Sequence, residues 1–392
     1  MEKNENLERD EELSSEEIRK TRMSFSIDTK SDFHGTAIGI KEYSIKEGLS
    51  KKIFYLIVGA DKQGEFQTPR RYTEFALLRK LLLGMWPGFY TPKIPSKKTL
   101  GNLDPTFIEK RKKLLELFLK KISNLEYMYE SAIVQSFLHD KADFKSVAKN
   151  LGLNDTKVAE SIVAKFPRFA NDSISPETEQ KFIDAEKVFR EAINNLSDLI
   201  SKSSALVQHF DVYESDLIEF MGNLKELGIV FTGKALESQA RDSFFNPYVI
   251  ILDWAVAEVL DLEAICEAIE SRKKFEGVVL GFESRLDNTK KSLAKVQSGK
   301  RSLTQLLKRN SKENIEAKTQ SEIEGMENSL SISRLCFKVI TLRLANKEIP
   351  MFKAAKLETY KHIMKVFATA SIQELTQLTQ QVQSLEFFID SS

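Results

Sequence analysis

Apolar and polar residues change period several times along this chain, and each change marks a new element. Residues 25–71 carry a β pattern, with Ile38, Ile40, Tyr43 and Ile45 set among polar neighbours and residues 53–58 continuously apolar. The turn signal Asp61-Lys62-Gln63-Gly64 precedes a third segment at 65–70, which predicts three strands in an antiparallel meander. Helical spacing takes over at Phe75, Leu78, Leu81 and Leu82 and stops at Gly84. In the stretch Trp86-Pro87-Gly88-Phe89-Tyr90-Thr91-Pro92-Lys93-Ile94-Pro95, three prolines remove backbone donors and predict an extended, polyproline-like loop. Asp104-Pro105, a capping residue ahead of a proline at the first helical position, opens a second helix. That helix carries Phe107, Ile108, Leu114, Leu115, Phe118 and Ile122, and the compact region closes near Leu138.

Beyond it, residues 141–175 form a linker in which Phe144, Val147, Val158, Ile162, Val163 and Phe166 alternate with Lys145, Lys149, Lys157 and Lys165. This is either an interfacial amphipathic helix or a helix packed on a neighbouring domain. After Pro176 a heptad series begins: Phe182, Phe189, Leu196, Ser203, Phe210, Leu217 and Leu224 interleave with Ala185, Ala192, Leu199, Leu206, Tyr213, Phe220 and Leu227. A 3.5-residue repeat of that length predicts a supercoiling helix roughly 70 Å long. Asn246-Pro247 starts a second long helix that runs to about Gln297, and a third fills the remainder and must bend at Pro350.

Composition narrows the function class. The chain has 392 residues, 42% of them hydrophobic and 29% charged, which fits two or three globular domains. The greasiest stretch, 248–260, is interrupted by Asp253 and Glu258, so no membrane-spanning helix is expected. The first residues lack the apolar core of a secretory signal, and the only cysteines are Cys266 and Cys336, so a reducing, cytoplasmic setting is expected. Residues 1–24 are acidic and poor in apolar groups and are expected to be disordered. The net charge of +1 hides an asymmetry, because residues 51–121 hold sixteen basic side chains against six acidic ones. A surface of that sign suits anionic lipid or nucleic acid. Scattered histidines, unpaired cysteines and the absence of a phosphate-cradling glycine loop or nucleophile motif leave no metal site, no cofactor and no catalytic candidate, so an enzyme is not expected.

The chemistry concentrates in Arg70-Arg71-Tyr72-Thr73-Glu74-Phe75, Pro92-Lys93-Ile94-Pro95-Ser96-Lys97 and Phe107-Ile108-Glu109-Lys110-Arg111. A guanidinium holds a phosphate bidentately, an aromatic ring supports a sugar-like ring, and a second guanidinium meets hydroxyls, a combination suited to an inositol phosphate. Taken alone, an Arg-Arg-Tyr run is usually an ordinary strand end, and Lys110, Lys112 and Lys113 read equally well as a solvated helix face. In order and spacing the three motifs resemble the signature of phox-homology (PX) domains over residues 25–140. That resemblance implies Arg71 on a 3-phosphate, Tyr72 under the inositol ring, Lys97 on the 1-phosphate and Arg111 on ring hydroxyls. It thereby favours phosphatidylinositol 3-phosphate, and it gives Leu100 and Leu103 to shallow membrane insertion.

Residues 176–392 resemble the BAR (membrane-curving dimerisation) domain of sorting nexins through Glu226-Leu227-Gly228, Asp242-Ser243-Phe244-Phe245, the segment from Glu348 to Lys353, and Tyr360-Lys361-His362. The fold implied is an α+β PX domain, a three-stranded antiparallel sheet with helices, followed by an all-α BAR domain of three long helices. The family implies a homodimer, or a heterodimer with another BAR-containing sorting nexin. It also implies a basic tip made of Lys300, Arg301, Lys308, Arg309 and Lys312, cargo or retrieval-complex partners, and a peripheral place on curved endosomal membranes. A polar connection rich in lysine would explain the tip residues as well. Two rivals remain, a nucleic-acid-binding protein using the basic region and a plain coiled-coil scaffold. The first needs exposed stacking aromatics, whereas these strand apolars read as buried. The second leaves the arginine motif without a reason.

Overall fold

The computed structural model describes residues 37–47, 51–97, 103–140, 143–149, 154–226, 229–231, 245–298, 312–383 and 385–387. Strands β1 (Ala37–Lys46), β2 (Lys52–Asp61) and β3 (Gly64–Arg70) form one antiparallel sheet in the order β1-β2-β3, as their patterns predict. The β2–β3 turn places Gly64 at φ 111°, a region that strains any residue with a Cβ, while Asp61 Oδ1 accepts the Gln63 amide at 2.8 Å. Helices α1 (Tyr72–Met85) and α2 (Pro105–Ser123) follow, and Asp104 caps α2 by accepting the Thr106 amide at 3.1 Å. Short helices α3 (Glu126–Tyr129), α4 (Ala132–His139), α5 (Phe144–Lys149), α6 (Asp155–Lys165) and α7 (Arg168–Asn171) lead to α8 (Glu177–Glu226). Strand β4 (Ile229–Phe231), α9 (Tyr248–Gln297), α10 (Lys312–Arg343), a π turn at Leu344–Glu348, α11 (Ile349–Gln383) and β5 (Leu385–Phe387) complete the chain. The expected architecture, a three-stranded antiparallel sheet with helices followed by three long helical segments, is what the structure shows. The β4–β5 antiparallel pair was not expected.

The chain divides into two compact units whose boundary falls within the long helices. One comprises Asp32–Glu191 with Leu260–Lys353. Its core is centred on Phe75, fully buried, which makes edge-to-face contacts with Tyr55, Phe118 and Phe137. Such contacts add ~0.5–1.5 kcal/mol each beyond area burial. The same core continues into Phe275, Val279, Leu286 and Leu330 of α9 and α10. Phe144, Ala159 and Ile162 of the 141–175 segment are fully buried, and α6 and α7 pack on α10. Gly88, at φ 77°, lies where an added Cβ would fall 2.2 Å from Ile340. The glycine therefore lets the proline loop press onto α10.

Ala192–Val259 and Ala354–Ser392 belong to the other unit. There Glu258, buried, accepts from Lys356 Nζ (2.7 Å) and the Tyr360 hydroxyl (3.0 Å), and Trp254 stacks edge-on against Tyr360. Asn246 donates to the Val207 carbonyl of α8 at 3.0 Å and caps α9 through its amide oxygen.

Candidate functional site

The close of β3 decides which arginine of the pair is available. Phe66, Thr68 and Arg70 alternate inward along the strand, so the next residue, Arg71, is turned outward. Arg70 is 2% exposed and donates to the carbonyls of Phe137 (2.9 Å), Ser136 (3.2 Å) and Asp140 (2.5 Å), closing the C-terminus of α4. Burial lowers its pKa, opposed by the charges of Glu74 and Asp140. Glu74 links the two arginines: one oxygen lies 3.5 Å from Arg70 Nη1, and the other accepts the Arg71 amide at 2.8 Å at the start of α1. The Arg71 guanidinium is left over the Phe54 ring, 6.0 Å from its centroid.

Beside it, α1, α2 and the proline loop converge. The Tyr72 hydroxyl donates to the Pro95 carbonyl at 2.7 Å, and Arg79 donates to the Pro92 carbonyl at 2.9 Å, so the loop is pinned to α1. Arg111 of α2 is 5% exposed and is held between two rings, 4.4 Å from the Tyr72 centroid and 4.3 Å from that of Phe107. One hydrogen bond reaches the Ser96 carbonyl at 3.3 Å, and the buried Nε has no partner. The Tyr55 hydroxyl, likewise buried without a hydrogen bond of normal geometry, lies beside Arg111: burial raises its pKa, and the guanidinium opposes the rise by its charge and as a hydrogen-bond donor. Burial also raises the pKa of Tyr72, against Arg111 and then Arg79. Leaving a charged donor buried and unmatched costs about 1–3 kcal/mol or more, so an acceptor arriving here is bound favourably.

The structure thus brings Tyr72 and Arg111 together and sets Arg71 at the adjoining helix start. Lys97 is exposed two residues after Pro95, and Leu103 is 39% exposed. Leu100, Lys300, Arg301, Lys308 and Arg309 lie outside the described residues, and Lys312 opens α10. Sequence reasoning missed Glu74 and Tyr55; the acid three residues after Arg71, at capping-box spacing, was the available signal for the first. It also overestimated the basic face. Arg79 pairs with Glu267, Lys93 with Glu263 at 2.8 Å, and Lys121 with Asp261, so three of its cations are neutralised by α9.

Comparison with known proteins bears on the family of the chain. The family model of the PX domain matches residues 59–141. The chain carries a PX domain. The curated proteins it is similar to include the sorting nexin MVP1 of Candida albicans, 29% identical over 45% of this chain and 24% of that protein. Sorting nexin-4 of Saccharomyces cerevisiae is 26% identical over 59% of this chain and 56% of its own length. Mouse sorting nexin-4 is 33% identical over 21% of this chain and 20% of that protein. The matches therefore span between a fifth and just over half of these relatives. Among solved structures, a designed CISK-PX domain is 32% identical with a TM-score of 0.25, covering 26% of this chain and 97% of that one. The SNX-BAR Mvp1 tetramer is 17% identical with a TM-score of 0.49, covering 87% and 99%. The resemblance to PX domains read from the arginine, proline-loop and α2 motifs holds, since the matched residues contain all three, and the similarity to sorting nexins is likewise found. Among the described residues no helix is long and apolar enough to cross a membrane, and no cluster of metal-ligating side chains is present.

Proposed function

We propose that this chain is a peripheral membrane protein whose PX domain binds phosphatidylinositol 3-phosphate and whose long helices pair two copies for endosomal sorting and recycling. The observation that carries the reading is Arg111: a guanidinium 5% exposed, clamped between two aromatic rings, with an unpartnered Nε. A headgroup resting on Tyr72 would offer ring hydroxyls to that Nε, its 3-phosphate would take Arg71, and its 1-phosphate would meet Lys97. Leu103, together with Leu100, would enter the lipid surface. The basic residues Lys300, Arg301, Lys308, Arg309 and Lys312 would touch anionic lipid at the BAR tip.

Dimerisation is supported by apolar side chains left uncovered on long helices. Phe220 is 56% exposed, Leu357 56%, Ile372 64% and Leu375 64%. Large apolar side chains left exposed on helices support protein contact, and the expected occupant is a second copy or a related BAR chain. Pairing two weak headgroup sites raises membrane avidity without a new contact. Binding and assembly, rather than catalysis, account for the chain's chemistry, with cargo or retrieval-complex proteins as the further partners.

The test is cosedimentation with vesicles. Wild-type protein should pellet with vesicles holding phosphatidylinositol 3-phosphate and not with unphosphorylated phosphatidylinositol. Arg71→Glu should stay in the supernatant with its dimer mass unchanged. Retained binding by that variant, or preference for an oligonucleotide over lipid, would refute the assignment.

A further inference from the structure

One cluster of cations on the outer face of the sheet lies outside the site just described, apart from Arg71. Lys46 and Lys52 stand directly opposite each other at the end of the β1–β2 ladder. Like charges in that arrangement repel and weaken the pairing, so nothing in the sheet itself favours them. Phe54, two residues beyond Lys52, lies on the same face. The Lys46 ammonium sits 5.0 Å from the Phe54 ring centroid, and the Arg71 guanidinium is 6.0 Å from the same point. Contact with a ring holds a cation in place but leaves its charge uncancelled.

Among the described residues, none of these three cations makes an ion pair. The adjacent Glu47 is engaged by Lys51 at 3.7 Å. The next acid on this face, Glu42, is paired opposite Leu56, about 13 Å back along the strand. Two cations on one ring and a third paired opposite Lys46, without an ion pair among the described residues, describe an anion seat, and Arg71 is common to it and to the proposed headgroup site.

We propose that Lys46 and Lys52, across Phe54 from Arg71, seat a second phosphomonoester. That group is carried either by the inositol ring held at Arg71 or by a neighbouring lipid in the same surface. The inference rests on the reading of Arg71 as a phosphate ligand. It deepens that reading by assigning the chain a preference for two phosphate groups over one. Two ammonium groups meeting one dianion are charge-assisted partners, worth about tenfold in affinity.

Calorimetry with the full chain separates the sources. Wild-type protein is titrated with inositol 1,3-bisphosphate, inositol 1,3,4-trisphosphate and inositol 1,3,5-trisphosphate. It is also sedimented with phosphatidylinositol 3-phosphate vesicles with and without phosphatidic acid. A gain of about tenfold for either trisphosphate places the second group on the same ring. A gain seen only with phosphatidic acid places it on a neighbouring lipid. In both cases Lys46→Ala/Lys52→Ala should erase the gain and leave inositol 1,3-bisphosphate binding within about twofold, at an unchanged or higher melting temperature. Binding of inositol 1,3-bisphosphate with no gain in any arm, a gain that survives the double substitution, or an equal loss across all probes would overturn the seat while leaving the headgroup site intact. Failure of wild-type protein to bind any of the probes would overturn both.

Discussion

At the scale of single residues, two adjacent arginines have opposite duties because a strand alternates its faces. Arg70 is buried on three carbonyls, and Arg71 is turned to the other face and only half-buried. Arg70→Ala should therefore cost about 3 kcal/mol in urea unfolding, since it opens buried acceptors and a cavity together. Arg71→Ala should leave the unfolding midpoint within about 0.5 kcal/mol of wild type while removing lipid binding. Equal destabilisation by both would mean the inward and outward assignment is wrong. Asp61 offers a second residue-scale test. Burial alone would raise its pKa, but hydrogen bonds from Tyr129 (2.6 Å), from His139 and from the Gln63 amide outweigh it and hold the carboxyl below its usual value. A depressed folded pKa contributes stability above the unfolded value near ~3.9, and that contribution is lost as pH falls through the folded value. Asp61→Asn should flatten the acid limb of the stability profile below about pH 4. An acid limb identical to wild type would contradict the network.

Elements show what the sequence made legible and what it hid. Period-two and period-four spacing located β1, β2, β3, α1 and α2 closely, because each buries one face against a single core. The heptads placed α8, yet they could not show that Phe182, Phe189 and Leu196 are covered while Tyr213 and Phe220 of the same series lie open. Burial depends on which helix lies opposite, and one chain's pattern does not name the partner. Pro350 forecast an interruption, and the structure gives it as the π turn at Leu344–Glu348 just ahead of the proline. That turn has a consequence for packing. In a regular α-helix, residues five apart point about 140° away from each other. Here Arg343 Nε and Glu348 Oε1 meet at 2.9 Å, and the same guanidinium lies 4.1 Å from the Phe166 centroid. Glu348 also accepts the Tyr90 amide at 2.9 Å, which ties the proline loop to this turn. Glu348→Ala should cost about 3–5 kcal/mol by leaving Arg343 buried without its carboxylate. Arg343→Met/Glu348→Ala should recover part of that loss, and a double variant no more stable than the single would argue against the pair.

For the whole molecule, the charge count of residues 51–121 was a poor guide to the surface, since α9 supplies Asp261, Glu263 and Glu267 to neutralise part of it. Under the proposed function, what would remain for lipid is local: Arg71, Lys97, Arg111 and the Lys46–Lys52 pair. Assembly is predicted to depend on apolar contact instead. Ile372→Glu/Leu375→Glu should shift the chain from dimer to monomer by light scattering without lowering its helix content, because both side chains are already 64% exposed. A dimer that survives the substitution would exclude that face. The central claim, that a buried guanidinium with a spare donor waits for an inositol headgroup, is tested most directly by a crystal structure of the chain with soluble dibutanoyl phosphatidylinositol 3-phosphate. The account predicts the ring against Tyr72, the 3-phosphate on Arg71 and the Arg111 Nε donating to a ring hydroxyl. A headgroup bound elsewhere, or an Arg111 Nε still without an acceptor, would contradict it.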